Sequence, residues 1–277
     1  MAAAALPRIH EALQQARAAG LAAQEAQWLL AALLQRDRAW LISHDDAALE
    51  PAQAERWAEW LQQRLAGVPL AYLVGEKEFH GLLLQVTPDT LVPRPDTEIL
   101  VDWALELLPE GVPTRTIDLG TGSGAIALAL KHRRPAAEVH ALDLSAGALA
   151  VAQANASRHK LDVHFHQGSW WQPLAGERFG LIVSNPPYIA GDDPHLASLQ
   201  HEPLGALTPG GDGLADLRTL IDGSPAHLLP GGWLLLEHGY DQAAAVTALL
   251  RERGFDAVGC RQDLAGLDRV SGGRWPG

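Results

Sequence analysis

The feature that most constrains the fold is a regular alternation of short apolar segments and helical segments that begins at Thr114. Five segments have the length and apolar character of buried strands: "TRTIDLG", "EVHALDL", "DVHFHQG", "RFGLIVS" and "GGWLLLEHG". Helical sequences such as "AIALALKHRR" and "SAGALAVAQANASRHK" follow the first two, and "YDQAAAVTALLRERG" precedes a last strand pair near "FDAVGCRQ" and "DRVSGGRW". This alternation predicts an α/β fold with an open, doubly wound, mainly parallel sheet that helices cover on both faces.

The first third of the chain carries a different, helical pattern. Ala26 begins an apolar stripe in which Leu29, Leu30, Leu33 and Leu34 recur at the spacing of one helix face. A second stripe runs through Trp57, Leu61 and Leu65, and Gly67 and Pro69 end it. We therefore predict a small helical bundle over residues 1–75, with Trp57 and Trp60 in the core.

The segment after the bundle predicts a short connector. "KEFHGLLLQV" has strand-like runs on either side of Gly81, which favours a β-hairpin linker over residues 76–95. "DTEILVDWALELL" then returns to helical spacing, with Asp96 or Thr97 placed to cap the helix. Residues 96–277 would form the α/β domain.

Charge and cysteine content limit the classes of function. The 277-residue chain has a formal net charge of −12, which argues against binding along a nucleic acid, because such binding needs clustered Lys and Arg. Cys260 is the only cysteine, so intrachain disulfides and cysteine-based zinc sites are excluded and a cytoplasmic location is expected. "MAAAALPRIHEALQQ" does not have the pattern of a secretory signal, and no apolar run reaches the length of a membrane span.

A glycine-rich loop follows the first strand of the α/β region. "DLGTGSG" places Gly120, Gly122 and Gly124 where a backbone can turn sharply and approach a ligand. The loop departs from the dinucleotide pattern and lacks the lysine of a phosphate-binding loop, so it favours a nucleoside that carries another group. Asp143, at the end of the next strand, has the spacing of a carboxylate that accepts hydrogen bonds from both ribose hydroxyls.

Two aromatic residues follow the third strand of this region. Trp170 and Trp171 are placed where one ring could stack on or flank an adenine. A core position is the alternative for either ring, and we expect it for one of the two.

The fourth strand ends in "SNPPYI". Two prolines cannot continue a central strand, so a stiff turn is the simplest interpretation. The turn nevertheless lies at the edge where open α/β sheets bind ligands, beside the glycine loop. Asn185 offers a side-chain carbonyl and Pro186 a backbone carbonyl, and two such acceptors can hold both N–H bonds of a planar –NH₂ group. Pro187 would stiffen the loop, and Tyr188 would lie against a flat substrate.

Together these segments resemble the PrmC/HemK family of release factor glutamine methyltransferases, within the class I S-adenosylmethionine-dependent methyltransferases. The resemblance covers nearly the whole chain: "GEKEFHGLLLQV", "LVPRPDTEILV", "DLGTGSGAIALAL", "IVSNPPYI", "HEPLGAL", "LLLEHGYDQ" and "DLAGLDRV" occur in the family's order. It implies a Rossmann-like methyltransferase sheet with an antiparallel C-terminal strand and a small helical N-terminal domain that recognises the substrate protein.

The resemblance also implies an activity and a set of site residues. The activity is N5-methylation of the glutamine in the Gly-Gly-Gln motif of class 1 peptide chain release factors, with S-adenosyl-L-methionine as donor and S-adenosyl-L-homocysteine as product. The implied cofactor contacts are Gly120, Thr121, Gly122, Ser123, Gly124, Asp143, Trp170 and Asn185. The implied substrate contacts are Asn185, Pro186, Pro187 and Tyr188, of which Asn185 and Pro186 are catalytic; Arg94, Pro95 and Glu98 would help line the pocket.

Two departures from the family pattern and several alternatives remain. Ser169 stands where an acidic residue often precedes the tryptophan, and "LQHEP" lacks the usual arginine before the Glu-Pro pair.

An adenine N6-methyltransferase would use the same two carbonyls, and a cofactor-binding regulator could keep the fold without the reaction. His164 and His166 share a strand face, but no third ligand is near in sequence, so we expect no metal site. No role is assigned to His238, and a monomer is the default expectation.

Overall fold

The chain divides into two compact units, Met1–Gly75 and Glu76–Gly277. The computed structural model describes residues 6–277; residues 1–5, where the considered signal segment begins, lie outside the described part. Among the helices of the described residues, none is both long enough and apolar enough to span a bilayer.

The first unit is all-helical, as the apolar stripes predict. Its helices are α1 (Ile9–Ala18), α2 (Ala23–Leu34), α3 (Arg38–Ser43), α4 (Pro51–Leu65) and α5 (Leu70–Val74). The stripe of α2 and the Trp57–Leu61 part of the α4 stripe enter one apolar core. Leu65 is 48% exposed, because it is the last residue of α4, where the helix leaves the core.

The second unit begins with the hairpin expected around Gly81. β1 (Glu76–Phe79) pairs antiparallel with β2 (Leu82–Gln85). The two turn residues, His80 and Gly81, have φ values of 49° and 82°, the left-handed region that a two-residue hairpin turn requires.

A seven-stranded sheet forms the centre of the second unit. Its strands are β3 (Arg115–Leu119), β4 (Glu138–Asp143), β5 (His164–Gln167), β6 (Phe179–Ser184), β7 (Leu228–Glu237), β8 (Asp256–Gln262) and β9 (Asp268–Arg274). Their order is β5-β4-β3-β6-β7-β9-β8, and the first five of these pair in parallel. β9 is antiparallel to β7 and to β8. The predicted mainly parallel sheet with an antiparallel C-terminal strand is therefore confirmed.

Helices cover both faces of this sheet. They are α6 (Glu98–Leu107), α7 (Ala125–Arg133), α8 (Ala146–His159), α9 (Ala215–His227) and α10 (Ala243–Arg253). Short 3₁₀ helices span Pro95–Thr97, Gln172–Leu174, Pro194–Leu199 and Leu204–Ala206. Along β6, Leu181 and Val183 pack with α6 and α7, whereas Ile182 packs with α9 and α10. This alternation is what a strand buried on both faces requires.

One helix was missed by the sequence analysis. α9 supplies Leu217, Leu220 and Ile221 to the core, yet its last turn contains Pro225. Glycine and proline are the two poorest helix formers, so Gly223 and Pro225 weaken the local helical pattern. Burial against the sheet outweighs this low helix propensity.

Candidate active site

A cavity of about 620 Å³ opens at the carboxyl ends of the parallel strands. β3 lies between β4 and β6, and Leu119, the last residue of β3, pairs with Leu142 and with Ser184. The loops that follow β3, β4 and β6 therefore meet at one edge of the sheet. All the residues predicted to contact the cofactor except Gly124 line this cavity: Gly120, Thr121, Gly122, Ser123, Asp143, Trp170 and Asn185.

Backbone hydrogen bonds anchor the glycine loop to β4. The backbone N–H groups of Gly120 and Thr121 donate to the Leu142 carbonyl, at 2.8 and 2.9 Å. Gly120 has φ 76°, which favours glycine, and a Cβ there would touch the Trp170 ring at 3.5 Å. Gly124, at φ 85°, immediately precedes α7, and a Cβ there would lie 3.0 Å from the Leu128 side chain; it does not line the cavity.

Asp118, which the sequence analysis did not single out, supports the loop from within the sheet. Its Oδ2 accepts a hydrogen bond from the Thr121 hydroxyl at 2.6 Å and from the Ala127 N–H at 3.3 Å. Burial raises the pKa of Asp118 to about 7. Its Oδ1 has no hydrogen-bond partner among residues 6–277.

Asp143 has both carboxylate oxygens engaged and still has accepting capacity. Oδ2 accepts from the Gly122 N–H at 2.8 Å, and Oδ1 accepts from the Ser145 N–H at 2.9 Å. Burial raises the pKa of Asp143, and these N–H groups oppose the rise by favouring the charged form. Because each carboxylate oxygen carries two lone pairs, the carboxylate can still accept from ribose hydroxyls.

The two tryptophans take different positions, but both are half-buried against the core, so the expected core position of one ring is not found. Trp170 lines the cavity, and its indole N–H donates to Asp216 Oδ1 at 3.2 Å. Trp171 stacks on His227 with ring centroids 4.8 Å apart, and its indole N–H donates to the Thr219 carbonyl on α9. Trp170 is thus the ring that a ligand can reach.

The "NPPY" turn divides its residues between two cavities. A second cavity of about 270 Å³ is lined by Asn185, Pro186 and Tyr188, whereas Pro187 lines the larger one. Asn185 lines both cavities, together with Leu91, Arg94 and Ala206. Within the described chain, no hydrogen bond reaches the Pro186 carbonyl or the Asn185 side-chain oxygen. The two acceptors that the sequence analysis proposed are therefore available to a ligand.

A hydroxyl beside the turn orients the Asn185 amide. Asn185 Nδ2 donates to Thr97 Oγ1 at 3.2 Å. Thr97 occupies the position before the first residue of α6, but its side chain does not cap the helix, so the predicted cap is wrong. The hydroxyl lies instead beside the Glu237 carboxylate and favours its charged form. A hydroxyl that donates towards a carboxylate has its oxygen free to accept, which leaves the amide oxygen of Asn185 for the cavity.

Glu237 lies beneath the turn at the end of β7. Its side chain is 1% exposed, Oε1 accepts from the Tyr188 hydroxyl at 3.2 Å, and Oε2 has no hydrogen-bond partner in the described part of the chain. Burial raises the pKa of Glu237 to about 7, although the Thr97 and Tyr188 hydroxyls oppose the rise. Gln242 holds the same turn by donating to the Tyr188 carbonyl at 3.0 Å.

We expect Glu237→Gln to change how stability depends on pH. The folded carboxyl binds its proton more tightly than the unfolded one, whose pKa is about 4.3, so the free energy of unfolding should fall as pH rises from there to about 7. Glutamine does not titrate. Between about pH 5 and pH 8, the free energy of unfolding of the variant, relative to that of the parent, should therefore rise by at most about 3 kcal/mol. Urea unfolding at the two pH values tests this, and an equal difference at both would contradict it.

An ion pair that sequence reasoning missed joins two walls of the site. Glu202 accepts hydrogen bonds from the Arg94 guanidinium and from the Val92 N–H, the latter at 3.1 Å. The Glu-Pro pair was visible in the sequence, but 108 positions separate it from Arg94, so no local spacing reveals the contact. Arg94 lines both cavities as expected, whereas Pro95 and Glu98 line neither cavity of the described residues; Glu98 accepts from the His80 N–H.

The structure adds to the sequence analysis for two histidine positions. His238 is fully buried, lies 2.7 Å from Ser271 Oγ and 2.8 Å from the Gly239 carbonyl, and lines neither cavity of the described residues. For His164 the sequence shows no third metal ligand nearby, but the fold supplies candidates. Parallel pairing of β4 and β5 brings His140 and Glu138 beside His164.

Known proteins resemble this chain over nearly its whole length. Residues 97–214 match the model of the methyltransferase small domain, and residues 4–75 match that of the PrmC N-terminal domain. The release factor glutamine methyltransferase of Bordetella pertussis is 52% identical, over 92% of this chain and 95% of that protein. The protein of the same name from Xylella fastidiosa strain Temecula1 is 53% identical, over 91% of this chain and 93% of its own length.

A solved structure shows a similar fold. The crystal structure of a methyltransferase from Pyrococcus furiosus superimposes with a TM-score of 0.55 at 20% identity, over 71% of this chain and 90% of that one. The sequence relatives, at about half identity over nearly their full lengths, confirm the resemblance inferred from the motifs. The chain belongs to the release factor glutamine methyltransferase family.

Proposed function

We propose that the larger cavity holds S-adenosylmethionine, that the smaller one admits a glutamine side chain, and that the methyl group passes between them beside Asn185. The observation that carries this proposal is that Asn185 lines both cavities. The enzyme is a protein-(glutamine-N5) methyltransferase, and its substrate is the Gly-Gly-Gln glutamine of a class 1 peptide chain release factor.

The residues of the larger cavity suit the methyl donor. A volume of about 620 Å³ is within the usual range for a cofactor site. Asp143 accepts the ribose hydroxyls with the lone pairs that its loop contacts leave free, and the Trp170 ring lies against the adenine. The backbone from Gly120 to Gly124 carries no phosphate-binding lysine, which matches a donor without phosphates. Bound there, S-adenosylmethionine supplies a methyl group on a positively charged sulfur.

The residues of the turn orient the nucleophile. An amide nitrogen is a poor nucleophile because its lone pair is delocalised into the carbonyl. The Asn185 side-chain oxygen and the Pro186 carbonyl each accept one N–H of the substrate amide, which fixes the plane of the –NH₂ group. Tyr188, held by Glu237 and Gln242, forms the wall of the smaller cavity. Orientation of this kind is worth about 7–11 kcal/mol of barrier in well-aligned systems.

We assign recognition of the release factor to the helical unit. The residues that line the two cavities all belong to the second unit, which has its own apolar core. A fragment of residues 76–277 should therefore still bind S-adenosylmethionine while its methylation of intact release factor falls. Calorimetry and a methylation assay on the same preparation test this. Equal methylation by a folded fragment and by the full chain would contradict the assignment.

The remaining features of the proposal concern partners and location. We propose that the enzyme acts as a monomer. The net charge of −12 and the single cysteine favour a protein substrate in the cytoplasm over a nucleic acid.

The decisive assay offers three substrates in parallel with labelled methyl donor. They are a class 1 release factor, its Gly-Gly-Ala variant and duplex DNA. We expect label in the first alone, and mass spectrometry should place it on the glutamine. Label in the DNA would favour the adenine N6-methyltransferase, and label in the Gly-Gly-Ala variant at an unchanged rate would exclude the glutamine.

A further inference from the structure

A histidine cluster lies on the sheet at the end opposite to the cavities. The register places His140 on β4 directly beside His164 at the start of β5, with Glu138 two residues before His140 on the same face. One nitrogen or oxygen atom from each of Glu138, His140 and His164 lies within 4.8 Å of the other two. The cavities begin at the other ends of these strands, beyond Leu119 and Asp143.

His140 has one ring nitrogen facing the Glu138 carboxylate and the other held by a neighbouring histidine ring. His140 Nε2 lies 2.9 Å from Glu138 Oε1, and His140 Nδ1 lies 2.9 Å from His166 Nε2. A histidine that ligates a metal through one nitrogen usually has its other nitrogen held by a hydrogen bond. The His140 side chain is only 9% exposed, so its ring is fixed, whereas His164 is exposed and leaves a path to solvent.

We propose that Glu138, His140 and His164 bind a zinc-class divalent cation, with His166 orienting the His140 ring. Two imidazoles and one carboxylate with an open fourth position are a donor set that zinc accepts. Tetrahedral ligand atoms about 2.0–2.1 Å from zinc are about 3.3 Å apart. The present 2.9 Å between His140 Nε2 and Glu138 Oε1 therefore has to widen by a few tenths of an ångström, and the ligand atom of the exposed His164, within 4.8 Å of the other two, has to move closer.

Arg115 is the group that opposes a cation here, and its other contacts reduce that opposition. It donates to Glu138 at 2.9 Å and lies 3.4 Å from His140 Nε2, but it also donates to Glu177 at 2.7 Å and to the Arg178 carbonyl at 3.2 Å. These two partners remain when Glu138 turns one oxygen to the metal. With neutral imidazoles, Glu138, Glu177 and Arg115 together carry a net charge of −1.

The expected effect is on the edge of the sheet. β5 has four residues and pairs with β4 alone, so its own hydrogen bonds hold it weakly. A cation that joins His164 to His140 links this edge strand to its neighbour. Since the ion binds the folded chain, it should also raise the melting temperature.

The test is a Zn²⁺ titration of the untagged, chelator-treated full chain by calorimetry, with Co²⁺ absorption as a report of the coordination geometry. We expect one ion per chain and a Co²⁺ spectrum of a four-coordinate site. His164→Gln should weaken binding by more than about 100-fold, and His166→Gln by about 10–100-fold, the usual cost of losing an outer hydrogen-bond partner. Both histidines lie on the edge strand, so the variants should fold.

The matched control is His132→Gln, which removes an exposed histidine from α7 and should bind Zn²⁺ like the parent. S-adenosylmethionine affinity should be the same in all these variants, which separates this proposal from that of the active site. Equal Zn²⁺ affinity in parent and His164→Gln, or uptake without a defined stoichiometry, would overturn the proposal.

Discussion

Asn185→Ala is expected to lower kcat for release factor methylation by about 10²–10³-fold, the cost of removing one preorganised polar group from a reacting centre. The affinity for S-adenosylmethionine should change far less, because the main role of the side chain is to orient the incoming nitrogen. Single-turnover methylation and calorimetry on the same protein separate the two effects. An unchanged kcat, or a loss confined to cofactor affinity, would contradict this role.

Thr97 offers a matched pair of variants for the same idea. Thr97→Val keeps the shape of the side chain but removes the hydroxyl that accepts the Asn185 N–H and lies beside Glu237. Thr97→Ser keeps the hydroxyl. If Thr97 positions the amide, kcat should fall in the valine variant and stay near the parent value in the serine variant, with cofactor affinity similar in both. Equal kcat values in the two variants would show that the hydroxyl does not position Asn185.

Asp143→Ala should weaken S-adenosylmethionine binding by about 2–4 kcal/mol, as expected for two charge-assisted hydrogen bonds to a ribose. The change also removes the acceptor of the Gly122 and Ser145 N–H groups, so the glycine loop loses part of its support. Asp162→Ala is a suitable control, because it removes the same charge from an exposed position that does not line the cavity. Unchanged cofactor affinity in a folded Asp143→Ala protein would remove Asp143 from the site.

Local features predicted the fold class and the position of the site. In the strands and most helices, apolar residues recur at the spacing typical of that element. Glycine and proline mark turns and helix ends within a few residues of their own position. The sequence analysis missed α9 because Gly223 and Pro225 weaken its helical pattern. Thr97 does not cap α6, because its hydroxyl makes a tertiary contact with Asn185 instead.

The residues that support the site could not be found in this way. Thr97 meets Asn185 across 88 positions, and Glu202 meets Arg94 across 108. A single sequence contains no periodicity that connects such distant positions. The same limit explains why His164 seemed to lack a third metal ligand: His140 reaches it only through the pairing of β4 with β5.

The amino-acid sequence by itself determined the alternating strands and helices, the glycine loop after β3 and the two carbonyl acceptors of "NPPY". These depend on side-chain periodicity and on backbone geometry within a few residues. Only the tertiary structure decided that Asn185 lines two cavities, that Trp170 rather than Trp171 lines the larger one, and that Thr97 and Glu237 lie beneath the turn. The physical reason is that these contacts form when strands distant in sequence pair side by side, and burial then fixes the orientation and charge of each group.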